Sequence, residues 1–288
     1  MDTAEVDALV SPEWVDERLE AFGRDDPEYR LVEVDAYPET YRDAHVPGAV
    51  TLEWQEHLRD ATVFDVPSES RFERLLGTRG ITDETTVVFY GDTQNWFAAY
   101  AYWLLRYYGH RDVRLLDGGR DIWLASGRET TDVVPSYAER SYRIGGVEDS
   151  IRIDREGVRA AMEGDEHLVD VRAPAEFRGE ILSPPGWNES VQRGGHIPGA
   201  INVPWSRVVQ PTGRFKPAAE MRAVFAEAGL DTDDDIVVYC RIGERSALTW
   251  VALHELLDFD AVRHYYGSWV EWGNTVGAPV ANGREAGP

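Results

Sequence analysis

The feature that most constrains the fold is that the chain is written twice. "ITDETTVVFYGD" (81–92) matches "LDTDDDIVVYCR" (230–241), placing Ile81 on Leu230 and Tyr90 on Tyr239 at an offset of 149 residues. The same offset aligns "VRLLDGGRDIW" (113–123) with "VRHYYGSWVEW" (262–272). Earlier in each half, "LVEVDAYPETYRDAHVPGAV" (31–50) resembles "LVDVRAPAEFRGE…GGHIPGAI" (168–201), and there the offset grows from 137 at Glu33/Asp170 to 151 at His45/His196. The second half therefore carries a 14-residue insertion around "ILSPPGWNESVQRGG". Self-similarity over this distance means two related domains.

Within each half, short apolar runs such as "LVDV" and "IVVY" have strand length, and helix-length stretches such as "AAEMRAVFAEAGL" and "RSALTWVALHELL" separate them. Met221, Val224, Phe225 and Ala228 fall at i, i+3, i+4 and i+7, one buried helix face, and Gly229 supplies the stop. Strands alternating with helices favour parallel pairing, so each half is expected to be an α/β domain with a mainly parallel sheet flanked by helices. The expected boundaries are 8–125 for the first domain, 126–150 for a linker without clear period, and 151–282 for the second.

Composition narrows the class. With 43% hydrophobic residues and ten Trp, the chain has the makeup of a folded protein, and no apolar run approaches the roughly 20 residues that span a bilayer. The start, "MDTAEVDALV", has neither a basic region nor an apolar core, so no secretory signal is expected, and a cytoplasmic location is. Against 52 Asp and Glu stand 29 basic residues, of which only Lys216 is lysine. A net charge of −23 argues against nucleic acid or anionic membrane as a partner and for a solvated acidic surface. Such a surface suits a salty cytoplasm, where a Debye length of about 3 Å near 1 M screens self-repulsion.

The single cysteine, Cys240 in "VVYCRIGERSALTW", follows an apolar strand and precedes a helix expected to start near Ser246. Ligands in open α/β sheets bind beyond the carboxyl ends of strands, where helix N-termini point inward. Amide dipoles there, together with Arg241 and Arg245, should favour thiolate over thiol and lower the pKa from about 8.5. A buried, inert cysteine is the competing reading. The repeat acts as a control: the matching residue in the first half is Gly91, so that half is expected to lack the nucleophile.

These segments resemble the two-domain rhodaneses, or thiosulfate sulfurtransferases, over almost the whole chain. "YRDAHVPGAVTL" (41–52) is similar to the family's N-terminal signature, "VRHYYGSWVEW" to its C-terminal one, with Tyr266 departing from the usual acidic or small residue, and "CRIGER" to its six-residue active-site loop. The resemblance implies tandem rhodanese-like domains and covalent catalysis without a cofactor. Cys240 would attack the outer sulfur of thiosulfate, release sulfite, and pass the sulfur from a persulfide to cyanide or a thiol acceptor. Arg245, with Arg241 as a second candidate, would bind the sulfonate. The loop residues Ile242, Gly243, Glu244 and Ser246 would cradle the persulfide, with the Glu244 carboxylate facing outward because a negative charge inside would oppose the anion.

Other residues have plainer readings. His45 and His196 occupy equivalent places and are read as turn or strand caps, no His/Cys cluster has metal spacing, and Trp269 and Trp272 read as core or domain-interface aromatics. Asp170 and Arg172 either support the loop or form an ordinary ion pair. Glu176 stands where some rhodaneses place a substrate-binding arginine. Three alternatives stay open. A mercaptopyruvate sulfurtransferase would share the persulfide but typically begins its loop Cys-Gly, and a related phosphatase needs five residues between Cys and Arg, whereas four separate Cys240 from Arg245. The non-enzyme alternative is a sulfur carrier or regulatory module.

Overall fold

In the computed structural model the described residues are 8–60, 62–187 and 191–283, so part of the expected insertion (188–190) lies outside them. The chain divides into two compact units, residues 1–148 with 211–214, and residues 149–210 with 215–288.

In the first unit, the strands β1 (Leu9–Val10), β2 (Tyr29–Glu33), β3 (Val50–Thr51), β4 (Thr86–Tyr90) and β5 (Val113–Leu116) form one sheet in the order β1-β5-β4-β2-β3. Every pairing is parallel. β2 and β4 are buried almost throughout, as their continuous Val, Leu and Phe runs require of a sheet covered on both faces. Phe22, Leu31, Tyr41, Val88, Tyr90 and Trp123 pack on one side. The helix Trp96–Tyr107 is buried nearly all round, in keeping with its apolar "WFAAYAYWLLRY".

In the second unit, β6 (His167–Asp170), β7 (Ile201–Asn202), β8 (Ile236–Tyr239) and β9 (Val262–His264) pair in parallel in the order β7-β6-β8-β9. This is the order of β3, β2, β4 and β5. Where β1 lies beside β5, the second unit has only a parallel bridge from Arg152 to His264. The helix Ala218–Glu227 buries Met221, Val224 and Phe225, the face expected from its spacing. Trp269 and Trp272 lie fully in the core with Tyr239 and Tyr265, and each indole N–H donates to a main-chain carbonyl, Trp269 to Arg193 and Trp272 to Pro279.

The duplication extends to individual hydrogen bonds. The Tyr90 hydroxyl accepts from the Val46 amide at 3.0 Å, and the Tyr239 hydroxyl from the Ile197 amide at 3.1 Å. His45 stacks on Tyr41 with Nδ1 2.7 Å from that residue's carbonyl, while His196 stacks on Phe177 with Nδ1 2.8 Å from its carbonyl. Both histidines are turn caps. Residues 132–148 run without helix or strand but are held to the first unit: Tyr137 donates to the carbonyls of Phe22 and Gly48, and the Arg30 guanidinium sits 3.7 Å from its ring.

Gly91 closes the first repeat to a nucleophile. A Cβ built on it would lie 2.0 Å from the Val34 carbonyl oxygen, so no side chain fits without moving the β2 backbone. Around that point three carboxyl groups are buried, Glu33, Asp35 and Asp92. Burial and the neighbouring Asp35 outweigh Tyr90 and Arg120, and push the Glu33 carboxyl up to about 9. Burial and Asp35 likewise raise Asp92 to about 6.

Two outcomes follow for stability. Gly91→Ala should cost about 3 kcal/mol, read by urea unfolding of the first unit. Because the folded carboxyls bind protons more tightly than unfolded ones, their contribution is complete below about pH 4 and is lost as pH rises through about 6 and then 9. The thermal midpoint of the first unit should therefore fall between those limits, and Glu33→Gln should flatten the decline.

Candidate active site

Cys240 follows the last residue of the central strand β8, between the ends of β6 and β9. Its amide donates to the Ser268 hydroxyl at 3.1 Å, and that hydroxyl donates to the Tyr265 carbonyl at 2.8 Å. The Cys240 and Arg241 carbonyls accept from the amides of Trp269 and Val270 at 3.1 and 2.8 Å. The loop is thus clamped to the segment after β9. Ser268 itself adopts φ 50°, an uncommon conformation for a residue with a side chain.

The helix begins at Glu244 rather than near Ser246, because Gly243 takes φ 101° and turns the chain there. That turn aims the Gly243 amide at the sulfur, with N to Sγ 3.2 Å. Only glycine adopts this backbone without strain. Ser246 closes the turn by donating to the Gly243 carbonyl at 3.1 Å, and its hydroxyl lies 2.9 Å from His264 Nε2. Burial drives His264 down to about 3, so it is a neutral imidazole at physiological pH.

The site departs from the sequence expectation in four respects. First, Glu244 faces inward: it is buried, and the Cys240 thiol donates to its Oε2 at 3.3 Å. The outward placement assumed that an anion pocket excludes carboxylates, but the tight turn at Gly243 puts residue 244 in the helix's first turn, directly over the sulfur. Second, the thiol is pushed up, not down. Burial and the Glu244 charge outweigh Arg245 and the Ser246 donors. Cys240 has no solvent-exposed surface, the burial that the competing reading of an inert cysteine anticipated.

Third, Arg245 is already occupied. Its Nη1 and Nη2 hold the two oxygens of Glu176 at 2.8 and 3.1 Å, a bidentate pair, and its Nε lies 3.3 Å from Glu244. Burial opposes the Arg245 charge, but Glu176 and Glu244 more than compensate and raise its pKa. Burial likewise works against Glu176 as a carboxylate, yet Arg245 holds it below the ordinary glutamate range. Fourth, Arg241, the second candidate for the sulfonate, is buried in the loop, 5.4 Å from the Trp187 ring centroid. Asp170 and Arg172 form a buried ion pair in which Arg172 also donates to the Gly195 carbonyl at 2.7 Å, which ties β6 to the turn before His196.

Glu176 is the residue that sequence reasoning passed over as a partner. It comes from the helix Pro174–Phe177, where its Oε2 also accepts from the Ala173 amide at 3.1 Å. The available signal was charge reversal: an acidic residue in place of an arginine, with two arginines in the loop. Among the described residues no cluster could hold a metal ion, and no helix is long and apolar enough to cross a membrane.

A rhodanese-like domain is found twice along the chain, at residues 11–126 and 154–275. The protein belongs to the rhodanese-like sulfurtransferase family. A relative from Haloferax volcanii, which carries the provisional name thiosulfate sulfurtransferase, is 51% identical over 96% of this chain and 97% of its own. The sulfur carrier protein TtuD of Thermus thermophilus is 47% identical over 99% of this chain and all of its own. Among solved structures, the anaerobic ergothioneine biosynthesis enzyme from Chlorobium limicola superposes with a TM-score of 0.84 at 24% identity, covering 98% of this chain and 72% of that one, a likeness of fold.

Removing Glu176 leaves a buried guanidinium with only part of its compensation. Glu176→Ala should destabilise the second unit by about 3 kcal/mol in denaturant titration. Glu176→Met, of similar length, should show a comparable loss if the missing charge, not the missing volume, is the cause.

Proposed function

We propose that this sulfurtransferase moves sulfane sulfur from thiosulfate to cyanide or a thiol acceptor, through a persulfide on Cys240 in the second domain. The observation that carries this reading is the asymmetry of the repeat. One copy ends its central strand in the chain's only cysteine, with a main-chain N–H on the sulfur at 3.2 Å, and the other ends in a glycine that cannot accept a side chain. In the first half-reaction the sulfur of Cys240 bonds to the outer sulfur of thiosulfate as the S–S bond to the sulfonate breaks and sulfite leaves. In the second, the acceptor takes the outer sulfur and the thiol is regenerated.

The amide of Gly243 supports an anion on the sulfur, and the shortness of the loop favours one sulfur atom over a phosphate. Arg241, which lies in the loop itself, and Arg245, whose charge is shared with two carboxylates, are the candidates for the sulfonate. Since Cys240 is fully buried, loading requires the wall of its pocket to open. Thiosulfate is favoured over mercaptopyruvate by the loop residues Cys240-Arg241-Ile242 and by the relatives' names. The kinship with TtuD favours, as a second reading, delivery to a protein thiol or thiocarboxylate rather than to cyanide.

Intact-protein mass spectrometry after thiosulfate treatment should show a gain of one sulfur atom on Cys240, removed by cyanide. Cys240→Ser should gain none and lose turnover by at least about a thousandfold. Absence of added mass on the wild-type chain rejects the persulfide. A larger kcat/KM for mercaptopyruvate than for thiosulfate reassigns the donor.

A further inference from the structure

Glu244 has no place in the sulfur transfer just described, yet its carboxylate touches the reacting atom. Its carboxylate is buried, lies 3.3 Å from Sγ and accepts the thiol hydrogen. Its other oxygen lies 3.3 Å from Arg245 Nε, an ion-pair contact that places the carboxylate between the sulfur and the guanidinium. On the far side of Arg245 stands Glu176. Two carboxylates and the sulfur therefore share one bidentately held arginine, in a pocket closed to water.

We propose that Glu244 is the proton acceptor for Cys240 during sulfur loading and the donor that returns the proton afterwards; this rests on the persulfide reading above. As the Cys240 sulfur bonds to the outer sulfur of thiosulfate, the thiol proton passes to Glu244 Oε2 and the S–S bond electrons leave with sulfite. The site then holds a persulfide anion beside a neutral carboxylic acid. When the acceptor removes the outer sulfur, the Cys240 thiolate that is left recovers its proton from Glu244. Both half-reactions balance with no proton lost from the pocket.

The physical advantage is that the buried charge never changes. Thiol with carboxylate and persulfide with carboxylic acid each carry one negative charge, whereas a free thiolate beside ionised Glu244 places two anions in contact in low dielectric. A carboxylate above the sulfur is harmful to a preformed thiolate but useful to a thiol. The other charged and titratable groups around the pair support this. From β9, neutral His264 touches Ser246; from the end of β6, Arg172 is neutralised by Asp170; from the helix after β6, Glu176 is matched by Arg245; and Arg241 lies in the loop itself. Tyr239 is pushed well above its usual range by burial and stays neutral. The Glu244 carboxylate accepts the thiol hydrogen directly.

The test pairs two measurements on wild type, Glu244→Gln and Glu244→Asp: thiolate absorbance against pH, referenced to Cys240→Ser, and sulfite release in a single turnover with thiosulfate. Removing the carboxylate should move the thiol titration to lower pH by at least about one unit. It should nevertheless slow sulfite release at pH about 6 by about 100-fold. A thiolate that forms more readily but reacts more slowly is the signature of a lost proton acceptor, and a purely structural role does not produce it. Wild type should load sulfur below the pH at which its thiol titrates, and Glu244→Asp should recover part of the rate. Sulfite release that simply follows the thiolate fraction in every variant, with Glu244→Gln as fast as wild type, overturns the assignment. Should Glu244→Gln fail to fold, the wild-type comparison of the two pH profiles decides alone. Failure of the proposed function is distinct: the wild-type chain then gains no sulfur at all.

Discussion

The second domain depends on a buried ionic arrangement at the mouth of its central strand. Arg245 enters the core from the first turn of a helix, is held there by two hydrogen bonds to Glu176 of another helix, and lies at ion-pair distance from Glu244 of its own. Desolvating these groups is costly, and the bidentate geometry recovers that cost only while all partners are present. The arrangement fixes the first turn of the helix, and the turn at Gly243 then sets where the sulfur sits. Geometry at Sγ is therefore inherited from charges a few ångströms away. It is also why the site tolerates a carboxylate against a thiol: the carboxylate already belongs to the ionic set.

The duplicated architecture shows how one backbone plan supports two different outcomes. Position for position, Asn95 stands where the second half has Glu244, and its side-chain oxygen accepts from the Gly91 amide at 2.9 Å while its nitrogen donates to the Leu116 carbonyl at 2.7 Å. The first repeat uses a neutral amide to satisfy its own backbone; the second uses an acid that reaches the sulfur. Asp35 occupies the position matching Arg172, so the first repeat gathers carboxyl groups where the second gathers an ion pair. Opposite electrostatics at homologous points leave one copy with a proton-binding cluster of carboxyl groups and the other with a buried thiol beside ion pairs.

Much of the fold was legible from particular residues. The offset pairing Tyr90 with Tyr239 foretold two related domains with mainly parallel sheets, and the two tyrosines do make the same bond to the same turn. The i, i+3, i+4 spacing of Met221, Val224 and Phe225 gave the buried helix face, and the Trp269 and Trp272 pair went to the core. These succeed because periodicity and burial are local consequences of backbone geometry. The site was legible only in part. Cys240 at a strand end and the closing Arg245 could be read from spacing, but not the inward turn of Glu244, nor the partner of Arg245 sixty-nine residues away.

The sequence by itself determined the duplication, the parallel α/β plan of each half, and the place of a lone sulfur beyond a central strand, because each follows from short-range pattern and from comparing the chain with itself. Only the tertiary structure decided the electrostatic state of that sulfur. A count of nearby arginines suggests a stabilised thiolate, whereas the folded chain spends Arg245 on two carboxylates and buries the thiol against one of them. The reason is that pKa values follow from distance and desolvation in space, and residues remote in sequence supply both.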